Sequence, residues 1–320
     1  MNRWGILLPL TGVPLREHHA LVSRLPDLGY TDVWTAETAG HDAFSLLTLV
    51  SQWSDAVRLG TAIVPVFTRG PGLLAMSAAT LADIAPGRFA LGIGASSPNI
   101  VEKWNAGRHE QPFGRTRDTL RFLRSAFAGK TVSEDYPTFS VRQFRLDHPP
   151  AVPPSVLLAA LRPGMLRLAA AEADGVITNW VAPRDVPRIR EVIGPEPELV
   201  APVFVCPTSD AEQARAAGRL LISTYFKVPA YRAFQEWLGR SAELAAMHRS
   251  HDAGEHWYRA GQAVPDSVVD ELVVHGSPEE CRERLRRYTA AGIDTPLVAL
   301  LPVRGGDPVA HVEALAPGRD

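Results

Sequence analysis

Eight short apolar runs recur along this chain, and all but the last are followed by a helical pattern. They fall at Trp4–Leu8, Asp32–Ala36, Leu59–Val64, Arg88–Ile93, Val156–Ala159, Gly175–Asn179, Leu199–Cys206 and Pro296–Leu300. Repeated strand–helix units imply parallel pairing, because each helix returns the chain to the same end of the sheet. Eight such units close naturally into an α/β fold of the (β/α)8 TIM-barrel type, and the chain length leaves room for insertions. The rival is an open doubly wound sheet. That fold usually carries a glycine fingerprint after its first strand, and Leu8-Pro9-Leu10-Thr11-Gly12 does not match it.

The rhythm is interrupted twice. Residues 131–154 hold a predicted hairpin and a proline cluster, read as an excursion. Residues 209–264 read as a helical insertion in what is otherwise a single barrel domain over 1–320. Two later helices announce their starts by capping boxes, Ser209-Asp210-Ala211-Glu212 and Ser277-Pro278-Glu279-Glu280.

Composition narrows the function. Of 320 residues, 46% are hydrophobic and 21% charged, which is ordinary globular usage. Net charge is −2 with interspersed signs, so no basic stripe points to nucleic acid. No apolar stretch is long enough to span a bilayer. The opening M-N-R-W-G-I-L-L-P-L is too short in its apolar part for a signal peptide and is broken by Pro9, so it reads as a first strand. With only Cys206 and Cys281 there is neither a disulfide framework nor a cysteine metal site, and the cytoplasm is the expected compartment.

In a barrel of this kind the chemistry lies in the loops that follow the strands. Glu37, His41 and Asp42 follow the second. Any could serve in acid–base work, while Asp42 is also placed to N-cap the helix near Phe44. The third run ends at Pro65, which removes a ladder donor, and polar Thr68-Arg69-Gly70 stands behind it. Gly92-Ile93-Gly94 with Ala95-Ser96-Ser97 permits close backbone approach to a ligand, or simply a tight turn. After the fifth strand, Pro163 opens a helix beside Arg162. Free amides, the helix dipole and a guanidinium make this a candidate phosphate site, though an ordinary helix start with a surface arginine fits as well. His248, Asp252 and His256 stand at i, i+4, i+8, which suits a metal or a solvated polar face. No H-E-x-x-H accompanies them, and no metal is expected.

Taken together, these loops resemble the luciferase-like superfamily of flavin- and deazaflavin-dependent oxidoreductases, in its coenzyme F420-dependent branch. The resemblance covers nearly the whole chain. It rests on L-G-T-A-I-V-P-V-F-T-R-G-P (59–71), A-P-G-R-F-A-L-G-I-G-A-S-S (85–97), L-A-A-L-R-P-G-M-L-R-L-A (158–169) and E-A-D-G-V-I-T-N-W (172–180). It implies a non-prolyl cis peptide at Ala62–Ile63, in a bulge that backs the cofactor ring. It implies that Ala95, Ser96 and Asn99 contact the ribityl chain and phosphate. Ala159, Ala160, Leu161 and the helix start at Pro163-Gly164 match the phosphate loop, with Arg162 replacing the commoner glycine. Asn179 and Trp180 sit where the family closes over the cofactor, and Trp180 is read as a ring that stacks on or walls the pocket. Glu37-Thr38 stands where some deazaflavin enzymes place aspartate and histidine. These two are the candidate catalytic residues, without that histidine's proton donor.

The resulting expectation is an oxidoreductase passing hydride between coenzyme F420 and an unidentified small organic substrate. The alternatives are an FMN-dependent monooxygenase and a flavin-binding protein without turnover. An unrelated phosphate-binding barrel hydrolase is a further rival, but it lacks an evident nucleophile. The family often forms homodimers, and the oligomeric state stays open.

Overall fold

The computed structural model describes residues 3–318. The chain runs β1 (Gly5–Leu7), α1 (His18–Leu28), β2 (Asp32–Thr35), α2 (Ala43–Trp53), β3 (Arg58–Thr61), β4 (Val64–Pro65), α3 (Pro71–Ile84), β5 (Phe89–Gly94) and α4 (Pro112–Phe127). A hairpin of β6 (Val132–Tyr136) and β7 (Phe139–Phe144) follows. Then come β8 (Ser155–Ala159), α5 (Pro163–Glu172), β9 (Gly175–Ile177), α6 (Val186–Ile193) and β10 (Glu198–Cys206). Five helices come next: α7 (Ala211–Phe226), α8 (Pro229–Trp237), α9 (Ala245–Asp252), α10 (Trp257–Gln262) and α11 (Asp266–Leu272). The chain closes with β11 (Val273–His275), α12 (Pro278–Ala291), β12 (Thr295–Leu300) and α13 (Pro308–Ala314).

The main sheet is parallel and closes on itself. β1 pairs with β2 and β12, and the ring continues through β3, β5, β8 and β9 to β10, which pairs with β12. This is the (β/α)8 barrel expected from the alternation. β11 adds a short strand to the far end of β10, at Phe204–Cys206. The third run differs from the expectation of one strand. It splits into β3 and β4, because the step from Gly60 to Val64 is four residues while its partner step from Ala90 to Ile93 is three. One extra residue is a bulge.

Inside the barrel, alternate residues point inward. Trp34, Ala90, Leu157, Ile177, Val200 and Leu297 form one buried layer. Gly60 makes room for the indole: a Cβ there would lie 2.2 Å from the Trp34 ring. Below this layer, the strand starts supply charge. Arg58 donates to both oxygens of Glu198 at 2.6 and 2.8 Å, and Thr295 Oγ1 donates to Glu198 at 2.8 Å. Fully buried Asp32 accepts from Trp34 Nε1 at 3.3 Å and from Arg3 at 3.2 Å. This network seals the N-terminal end, the end associated with stability rather than chemistry in such barrels.

The insertions carry their own apolar contacts. Phe144 and Phe139 of the hairpin pack on Phe122 of α4 at ring distances of 5.3 and 6.3 Å. In the helical segment, Tyr225 and Phe226 join Trp180 and Phe204 in an aromatic cluster. The Ser277 capping box forms as expected. The earlier one does not: Asp210, not Ser209, caps α7 by accepting from Gln213 N. Asp beats Ser here because it sits one residue nearer the first free amides.

Burial alone would raise Glu198, but hydrogen bonds and charge from Arg58, with Thr295 and Arg3, outweigh it and hold the carboxyl below its usual 4.5. A depressed carboxyl stabilises the fold above its unfolded pKa, and that contribution is lost as pH falls through the folded value. Glu198→Gln should therefore lower unfolding free energy at neutral pH by about 1–3 kcal/mol. The gap to the parent protein, measured by urea denaturation, should shrink as pH drops below 4.5. A gap that stays constant into acid would remove Glu198 from the stabilising network.

Candidate active site

The opposite end of the barrel is open because the next inward positions are small. Two residues beyond the buried layer lie Ala36, Ala159, Asn179 and Ala299, and four beyond Ala90 lies Gly94. A Cβ on Gly94 would stand 2.7 Å from the Ala159 Cβ and 3.3 Å from Ile63, so glycine is needed for these strands to approach. Ala62, Ile63, Ala159 and Asn179 are all partly exposed, in contrast with the fully buried layer beneath.

The bulge forms one side of this mouth. The Ala62–Ile63 peptide bond is cis, at the position that the resemblance implies. Its backbone is tied on both sides. Ala62 N donates to Thr35 O at 2.7 Å, Ile63 O accepts from Glu37 N at 3.0 Å, and Val66 N donates to Gly94 O at 2.9 Å.

Arg69 was not singled out as a site residue from sequence, yet it organises this edge. Its Nη2 donates to Glu37 Oε1 and to Asp42 Oδ1, both at 2.6 Å, and the guanidinium lies over the Phe44 ring at 4.8 Å. Glu37 also accepts from Ala43 N at 3.2 Å. Asp42 caps α2 through Phe44 N and Ser45 N, as the sequence suggests. Burial would raise Asp42, but its Ser45 hydrogen bonds and Arg69 hold it below the usual carboxylate range. The only sequence signal for Arg69 was a cation directly behind a strand that breaks. Thr38 is exposed at the rim, and its side chain makes no hydrogen bond among the described residues.

On the other side stand the loops after β5 and β8. Ala95 and Ser96 are partly buried, Ser96 with a φ of 61°, and exposed Asn99 opens a π-helical turn to Trp104. Ala160 is buried, with its N–H on Ile177 O at 2.9 Å, and Leu161 packs partly against the main core. Arg162 is the extended residue before α5, is exposed, and makes no hydrogen bond through its side chain among the described residues. Pro163 is the first helical residue and no side chain caps the helix. At Gly164 nothing lies within 4 Å of where a Cβ would be, so the first amides are open.

Asn179 and Trp180 close the ring differently from the expectation. Trp180 is 1% exposed, and its indole stacks on Phe204 at 4.0 Å, so it backs the wall rather than facing a ligand. Phe204 and Tyr225 pack against it and Tyr231 against Tyr225, and none of the three stands out in the sequence alone. The histidine series also resolves otherwise. α9 ends at Asp252 and His256 caps α10, so the three residues share no single helix face. His248 is buried rather than solvated, and burial lowers its pKa. Among the described residues no three His, Cys, Asp or Glu could hold a metal ion, and no helix is long and apolar enough to cross a membrane.

Comparisons with known proteins fit this geometry. A Mycobacterium tuberculosis protein, whose name carries coenzyme F420-dependent oxidoreductase activity as an unproven assignment, is 26% identical, the match covering 89% of this chain and 91% of that protein. The 5,10-methylenetetrahydromethanopterin reductase of Archaeoglobus fulgidus is also 26% identical, over 87% of each. Among solved structures, the coenzyme F420-dependent tetrahydromethanopterin reductase of Methanopyrus kandleri shares the fold with a TM-score of 0.78 at 19% identity, covering 98% of this chain and 97% of that one. An FMN-complexed Baeyer–Villiger monooxygenase component of Pseudomonas putida shares it with a TM-score of 0.65 at 16% identity, covering 99% and 97%. Residues 5–295 match the family described as luciferase-like monooxygenase, and this chain belongs to that family.

Proposed function

We propose that the open end of the barrel binds coenzyme F420 and that the protein is an oxidoreductase passing hydride between it and a small organic substrate. The observation that carries this reading is the uncapped start of α5, with free amides and the unpaired Arg162, beside a mouth kept hollow by Gly94 and Ala159. A helix N-terminus with an adjacent guanidinium suits a phosphoryl group, and small inward residues suit a flat ring. The residues present therefore fit the cofactor. The name of the Mycobacterium tuberculosis relative favours the deazaflavin.

When bound, the cofactor supplies a ring carbon that takes up or gives a hydride. The chain's own part is support and exclusion. Ala62 and Ile63 back the ring from the bulge. Ala95, Ser96 and Asn99 line the path of its tail, and the backbone of Ala159–Gly164 with Arg162 anchors the phosphoryl group. Asn179 stands at the rim, with Trp180 packed behind the wall. Glu37 is held by Arg69 and by the Ala43 amide, so it serves to fix the edge of the mouth. Exposed Thr38 offers a hydroxyl on that edge. The FMN-dependent monooxygenase is the second reading, favoured by the family description and the FMN-complexed neighbour.

Fluorescence titration should give tighter binding of coenzyme F420 than of FMN; equal or reversed affinities favour the second reading. Loss of one charge-assisted phosphate contact is worth about 1–2 kcal/mol, so Arg162→Ala should weaken F420 binding about tenfold. Unchanged affinity would return that arginine to the surface. Arg69→Ala should speed amide hydrogen exchange across 37–43 and 66–70 and cost about 1–3 kcal/mol of stability, since it strips Glu37 of its partner. Exchange rates like the parent's would mean that the ion pair does not order the rim.

A further inference from the structure

Asn179 and Tyr231 form a hydrogen-bond chain whose free end lies at the mouth. Asn179 Oδ1 accepts the N–H of Trp180 at 2.9 Å. That contact fixes the orientation of the amide, because only its oxygen can accept. Its Nδ2 group is thereby turned to the Tyr231 hydroxyl, to which it donates at 3.1 Å. The phenol oxygen acts as acceptor, and among the described residues nothing accepts its own hydrogen. Burial, reinforced by Tyr225, pushes the Tyr231 pKa far above the usual phenol range, and no charged side chain contributes to the shift. The group is a permanent donor in apolar surroundings. Its ring stands 5.3 Å from that of Tyr225, edge to face, and 6.5 Å from that of Phe226.

The same helix fixes the corner from which Asn179 reaches. Gln235, one turn after Tyr231 on α8, donates through Nε2 to the carbonyl of Trp180 at 2.8 Å, and Trp180 has a left-handed φ of 56°. Fully buried Arg240 donates to Gln235 Oε1 at 3.0 Å and to Asp185 at 2.7 Å. Helix α8 thus carries both the hydroxyl and the brace for its partner, so their spacing cannot drift independently.

We propose that Tyr231 is a further catalytic residue, oriented by Asn179, that donates to the carbonyl oxygen of an uncharged, largely apolar substrate. With its oxygen already accepting from Asn179, the hydroxyl is left to donate, which selects an acceptor oxygen, and the aromatic wall beside it selects an apolar body. The proposal rests on the hydride-transfer reading above. In the reductive direction the carbonyl carbon gains the hydride and its π pair moves to oxygen. That oxygen takes the phenolic proton, and solvent reprotonates Tyr231. The carbonyl compound is reduced as the reduced deazaflavin is oxidised.

Acetophenone is a suitable probe, being an uncharged aromatic ketone. Its binding would be measured by calorimetry to F420-loaded and to cofactor-free protein, with F420 affinity measured separately by fluorescence. Tyr231→Phe removes only the hydroxyl. It should leave F420 affinity within about twofold and weaken acetophenone about tenfold, the effect of one lost hydrogen bond. In the parent protein, acetophenone affinity should stay flat between about pH 6 and about pH 9, because the phenol keeps its proton. Equal ketone affinity in both proteins, or no ketone binding by the parent, overturns the role of Tyr231. Failure to bind F420 sinks the cofactor reading instead, and the cofactor-free comparison still decides Tyr231. Should Tyr231→Phe fold poorly, Asn179→Ala frees the same hydroxyl from its orienting partner and should weaken acetophenone binding to the cofactor-free protein; equal ketone affinity there overturns the role of Tyr231.

Discussion

A closed parallel barrel leaves only two ends for a ligand, and the size of the inward side chains decides which one is open. In this chain the decision is made by an indole. Trp34 fills the central layer so completely that β3 must offer glycine opposite it. Below the indole, Asp32, Arg58, Glu198 and Thr295 bond one another across the floor. Above it, the next inward residues are alanine, glycine, asparagine and proline. The hollow is therefore a consequence of packing order along each strand, large first and small afterwards, and every site residue takes its position from that gradient.

The open end is shaped by two departures from the repeating unit. One is the extra residue in the third strand, which interrupts the ladder between Thr61 and Val64 and turns Ala62 and Ile63 toward the mouth. The other is the helical segment after β10, which brings Tyr225 and Tyr231 against Phe204. The first is a rigid feature, bonded to both neighbouring strands. The second is held by side-chain links, among them Gln235 to the Trp180 corner, Arg240 to Asp185 and Arg184 to Glu271. The division suits a site in which one face supports a fixed ring and the other varies with the substrate.

The sequence made the barrel legible because its signals are local. Apolar runs, the Ser277 capping box, Asp42 before Phe44 and Pro163 at a helix start all act within a few residues. The same logic located the break in the third run but read through it as one strand, since a bulge is defined by the partner strand and not by its own residues. Trp180 illustrates the limit. Its place after a strand suggested a ligand-facing ring, yet Phe204, 24 residues later, sits in front of it. The pairing of Arg69 was hidden for the same reason: its partners Glu37 and Asp42 are 32 and 27 residues away. The histidine series misled because i, i+4 spacing presumes one unbroken helix, and Gly254 lies between α9 and α10 with a φ of 76°.

Charge at the mouth is consequently paired before any ligand arrives. Arg69 is shared between two carboxylates, and burial, which would lower its pKa, is outweighed by Glu37 and Asp42. Glu37, tied to a guanidinium and a backbone amide, has its lone pairs committed to the edge of the mouth. Arg162, which makes no side-chain hydrogen bond among the described residues, stands at a helix start that favours negative charge. What is left to act on an uncharged substrate is a neutral donor. On the proposed reading the division of labour follows from electrostatics: paired charge orders the rim, Arg162 would meet the anionic tail, and the Tyr231 hydroxyl would act where the substrate meets apolar rings.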